Sequence, residues 1–118
     1  MKTLRALCLV AAAAFSSAAM AHAVVKQSVP AQGAKLAVAP KEVVITFNEK
    51  VEKMFTNATL ATAAGAPIAT AKAAIDPANP AVLRLPLPAL KPGAYVVKWS
   101  AVGHDGHRLT GNIGFTVE

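Results

Sequence analysis

Thiols are almost missing from this chain. Its one cysteine, Cys8, sits inside an apolar run near the start, behind Leu7 rather than behind the small residues a lipid-attachment site requires. The remainder therefore holds no disulfide, no thiolate metal site and no thiol nucleophile. Aromatic residues are scarce too. Four Phe, one Trp and one Tyr are too few to interleave with basic groups as single-stranded nucleic acid would need. The formal charge is +6, but the lysines are scattered without a run, as on a solvated basic surface. Beyond the first 21 residues no apolar stretch approaches the length of a membrane helix, so no membrane insertion of the processed chain is expected.

What is there begins with a leader. Lys2 and Arg5 give a basic start, Ala6 to Phe15 a short apolar core, and Ala19-Met20-Ala21 a small-x-small cleavage pattern. Residues 1–21 are thus expected to be a signal peptide, and residues 22–118 a single exported domain. Removing the leader takes away two of the twelve basic residues and none of the six acids, leaving +4. It would also free the α-amine of His22.

The rest is punctuated by turns. Ala31-Gln32-Gly33-Ala34, Ala63-Ala64-Gly65-Ala66-Pro67, Asp76-Pro77-Ala78-Asn79-Pro80 and Lys91-Pro92-Gly93 separate short segments of alternating character. The clearest are Lys41 to Phe47, Val82 to Leu87, Ala94 to Ala101 with Tyr95, Val97 and Trp99 on one face, and Thr110 to Val117 with Ile113, Phe115 and Val117 inward. A weak strand is expected over Thr56 to Thr62 and a return strand over Ile68 to Ala74. Pro86 places the Val82 to Leu87 strand toward a sheet edge. Gly111 suits a close approach or a bulge. About seven short strands and no helical period predict an all-β sandwich.

The chemistry gathers at two places. All three histidines lie at His22 or within Gly103-His104-Asp105-Gly106-His107. A freed His22 would offer its amine and imidazole Nδ1 to one ion as a six-membered chelate. In an extended stretch Asp105 and His107, two apart, point the same way. Together they make three nitrogens and one oxygen, a tetragonal set suited to Cu(II), with nickel or zinc as alternatives. The competing reading of Asp105-Gly106-His107 is a turn whose aspartate bonds the backbone. His104 is expected on the side opposite Asp105, outside the ligand set or as an alternative ligand.

Several pieces, in order and spacing, resemble the CopC family of periplasmic copper-binding proteins. They are His22-Ala23, Pro30 to Ala34, Val43 to Glu49 (VVITFNE), Leu90 to Trp99 (LKPGAYVVKW), Asp105-Gly106-His107, Gly111 and Phe115-Thr116-Val117. The resemblance implies a Greek-key β-sandwich or barrel related to cupredoxins and immunoglobulin domains. It implies one Cu(II) ion held by His22, Asp105 and His107, with Glu49 beside the site, and a CopD-like copper transporter of the inner membrane as partner. Some relatives add a methionine-rich Cu(I) site. Leu60 to Lys72 here has no Met or His, and Met54 alone is expected to serve packing. The expectation is a monomeric periplasmic protein of copper homeostasis that is not an enzyme. Its rivals are a copper mono-oxygenase with an N-terminal histidine chelate and a metal-free immunoglobulin-like interaction domain.

Overall fold

A computed structural model describes residues 24–118. The leader and His22 lie outside the described residues. The described chain holds nine strands in two sheets: β1 Val25–Val29, β2 Ala34–Leu36, β3 Glu42–Phe47, β4 Asn57–Thr62, β5 Pro67–Ile68, β6 Ala74–Asp76, β7 Asn79–Pro86, β8 Gly93–Val102 and β9 Arg108–Val117. One 3₁₀ turn, Lys53–Phe55, stands between β3 and β4. The sheets run β1-β3-β7-β6 and β2-β9-β8-β4-β5, and the chain changes sheet at five connections, so this is the all-β sandwich expected.

Alternation builds the core. On β3, Val43, Ile45 and Phe47 point inward at 2% exposure or less, and Leu83 and Leu85 of β7 join them. From the other sheet come Leu60, Val97, Ile113 and Phe115. Two aromatic contacts stiffen the core: Phe47 of one sheet meets Trp99 of the other edge-on at 5.4 Å, and Tyr95 stacks on its cross-strand partner Phe115 within one sheet at 5.6 Å. Such pairs add about 0.5–1.5 kcal/mol beyond the burial of their area. Gly111 pairs with Trp99 across β8–β9, and a Cβ there would lie 2.5 Å from the Trp99 ring. The close approach expected of this glycine is real: the indole lies on its backbone.

Three expectations need correction. Ile68 to Ala74 is not one return strand. Only β5 returns against β4, and the chain then crosses to the other sheet, where β6 pairs with β7. The alanines between offer little cross-strand area to hold a longer ladder. Pro86 does not mark an edge strand, because β7 lies between β3 and β6. It is tolerated because it ends the strand: β6 reaches no further along β7 than Arg84, so no ladder donor is missed. Met54 does not pack; it is 87% exposed.

Candidate metal centre

The site grows from the β8–β9 hairpin. Ten cross-strand pairs, Gly93–Val117 through Val102–Arg108, lead to a tight turn over residues 103–107. Gly106 donates its N–H to Gly103 O at 2.9 Å, and Gly103 N–H reaches His107 O at 3.1 Å. Closing this turn needs φ of +83° at Gly106, a conformation open to glycine and strained for other residues.

Asp105 and His107 do meet, but by this turn rather than by extended backbone. Asp105 Oδ1 accepts the His107 backbone N–H at 3.1 Å, and Oδ2 lies 2.9 Å from His107 Nδ1. The aspartate thus bonds the backbone and orients the imidazole with one carboxylate. With Nδ1 against Asp105, Nε2 is the ring nitrogen away from that carboxylate. A carboxylate holding the far ring nitrogen is how metal-binding histidines are commonly fixed. A carboxylate oxygen carries two lone pairs, so a hydrogen-bonded aspartate can in general also ligate an ion.

Glu49 and His104 form a second carboxylate–imidazole pair. The strand β3 ends at Phe47, and the chain then ties to the far end of β8. Val51 bridges Gly103, and Glu52 N–H donates to Val102 O at 2.7 Å. This brings Glu49 Oε2 to 3.4 Å from His104 Nδ1. The Glu49 side chain is only 22% exposed, so it is not a solvated acid. Its Oε1 is buried without a hydrogen-bond partner among the described residues. A buried carboxylate oxygen left in that state is a place for a proton, a water or a cation. His104 is half-exposed and turned to Glu49, a partnership that sequence spacing did not reveal.

Asn48 is the residue that sequence reasoning missed. Its side-chain Oδ1 accepts the Val24 N–H at 2.8 Å, while its own N–H donates to Val24 O at 3.0 Å. It therefore pins Val24 beside Glu49, at the end of the sandwich that carries the 103–107 turn. The signal was present within VVITFNE, as an amide directly after a strand.

Among the described residues no group of three or more His, Cys, Asp or Glu comes together as a metal site. The donors stand as two pairs. A complete centre needs a further ligand, and His22, the one foreseen, lies outside the described residues.

A family model, the CopC domain, matches residues 25–118. A copper resistance protein C of Escherichia coli is 38% identical over 120 residues, covering 93% of this chain and 90% of that protein. The crystal structure of CopC from Methylosinus trichosporium OB3b superposes with a TM-score of 0.77 at 29% identity, covering 82% of this chain and 94% of that one. The structure of PcoC, a methionine-rich copper resistance protein from Escherichia coli, does so at 0.67 and 35% identity, covering 83% of this chain and all of that one.

Proposed function

Because this chain belongs to the CopC family, we propose that it is a periplasmic protein that binds one Cu(II) ion and hands it to a copper transporter of the inner membrane. Export follows from the leader at residues 1–21, and cleavage there makes His22 the first residue. The His22 amine and imidazole, Asp105 and His107 hold the ion, and Glu49 completes the carboxylate side of the site. The observation that carries this reading is the Asp105–His107 pair, set by its own turn at the end of the sandwich where Asn48 pins Val24.

Reach supports the placement. Two residues of chain span at most about 7 Å, so an amine at His22 stays close to Val24 and hence to Asn48 and Glu49. The Asp105 carboxylate aligns the His107 ring before the ion arrives. Ion binding lifts protons from the amine and the imidazoles, so affinity falls as the medium is acidified. The set is built for the harder, oxidised ion: Met54 is the only thioether outside the leader, whereas soft ligands select Cu(I). The same features favour a carrier over an enzyme. Tyr95 is buried and Trp99 packs on the core, so neither offers a platform for a polysaccharide.

Electron paramagnetic resonance of the Cu(II) form tests the reading. Processed protein should give a tetragonal signal with nitrogen couplings. A version with one extra residue before His22 should bind far more weakly with an altered spectrum, and identical spectra would remove the amine from the ligand set.

A further inference from the structure

The sandwich is open along one side. In one sheet the edge strand β6 pairs only with β7 among the described residues, which place no strand on its outer edge. In the other, β5 covers only Leu60 and Ala61 of β4, leaving Asn57 to Thr59 paired with β8 alone. Between these unpaired edges runs a groove of about 670 Å³, walled by Met54, Asn57, Ala73 and Ile75. Lys53 and Lys72 also line it, and none of its lining residues is acidic. Neither lysine makes an ion pair with a described residue. The nearby acid, Asp76, is taken by Arg84 at 2.8 Å. The 3₁₀ turn above the groove buries none of its residues, so Met54 and Phe55 stand exposed without serving the core.

We infer that this groove is a docking site for an extended segment of a partner protein, one that alternates acidic and apolar side chains. An open sheet edge offers main-chain hydrogen bonds to an added strand, and pockets beside it read alternate side chains. Here the apolar side chains enter between Met54, Ala73 and Ile75, and the carboxylates meet Lys53 and Lys72. A flat bilayer answers the lysines but can neither fill a groove nor pair a strand edge. One wall of the groove continues in the chain from Glu52, which is bonded to Val102 at the root of the 103–107 turn. The inference does not depend on copper and is tested on the metal-free protein.

The probe is a short capped peptide of alternating Glu and Val, titrated into isotope-labelled processed protein and followed by amide NMR. Saturable shifts are expected at residues 57–59 and 72–76. The double variant Lys53→Glu, Lys72→Glu should weaken binding by about tenfold or more, equivalent to roughly 1.4 kcal/mol. A Lys–Val peptide should then bind that variant better than it binds the parent. A fold check on the variant comes from its β8–β9 amides, which should not move. The proposal fails if the shifts do not saturate, or if the Lys–Val peptide acts equally on the parent. It fails too if N-methylation of alternate peptide bonds changes nothing. Shifts produced only by phosphatidylglycerol vesicles, or only by raising the protein's own concentration, would overturn it in favour of a lipid surface or a second copy.

Discussion

The two carboxylate–imidazole pairs at one end of this sandwich are built in opposite ways. Asp105 and His107 belong to one turn, and both aspartate oxygens are engaged within it. Wherever the turn forms, the pair forms. Glu49 and His104 come from distant parts of the sequence and meet only because Val51 and Glu52 are tied to the end of β8. Their contact is longer, 3.4 Å against 2.9 Å, and leaves one carboxylate oxygen buried with no hydrogen-bond partner among the described residues. One pair is fixed by local chemistry. The other depends on tertiary structure and keeps spare coordinating capacity.

Substitutions separate the two. The largest effect is expected from His107→Ala. Loss even of outer ligand-orienting groups costs about 10–100-fold in metal affinity, so removal of this proposed ligand should cost about 100-fold or more in a Cu(II) competition titration. Retention within a few-fold would reduce the local pair to a structural turn. Next comes Asn48→Ala, which removes the side-chain acceptor of the Val24 N–H. It should weaken Cu(II) by about tenfold through misplacement of the chain start, with a broadened resonance signal, while His107 chemistry is untouched.

Glu49→Gln should cost less than about tenfold in affinity, because Glu49 lies against His104 rather than against Asp105 or His107, and the carboxamide keeps an oxygen donor. It should leave the metal-free protein at least as stable, because it removes the charge from a poorly answered buried carboxylate. A strongly destabilised Glu49→Gln would show that the tertiary pair is a structural tie.

The smallest effect serves as a control away from both pairs. Arg84 binds Asp76 and Glu42 across one sheet, each at 2.8 Å. The Arg84 hydrogen bond, followed by the Ala78 N–H, holds the Asp76 carboxyl below its ordinary 3.8. A depressed carboxylate stabilises the fold above its unfolded pKa and ceases to as pH falls through the folded one. Arg84→Met should therefore lower the melting temperature slightly near neutral pH, and the gap from the parent should close in acid. A gap that widened in acid would contradict the assignment.

Much of this was legible in the residues. Strict alternation marked β3, β8 and β9, since each has one face on the core and a partner along its length. The three-residue strands β2 and β6 carry too little pattern to be read, and each exists because a longer neighbour offers an edge. The local pair could be foreseen from Asp105-Gly106-His107, although the turn, not an extended backbone, brings it together. The Glu49–His104 pair could not, because it follows from two long-range backbone ties, Val51 to Gly103 and Glu52 to Val102. Met54 misled for a related reason. Being apolar said nothing of where the 3₁₀ turn would point it.

Val51 has one more consequence. Its N–H donates to Pro80 O on β7 at 3.1 Å, while its backbone bridges Gly103 at the end of β8. A single buried residue therefore ties the two sheets, and its amide is shielded while these backbone ties hold. In hydrogen–deuterium exchange that amide should be among the slowest, exchanging at the rate of global opening. The β6 amides, on a bare edge, should exchange early. The fold thus carries a built-in clock for whole-molecule opening, set beside the centre proposed to hold the ion.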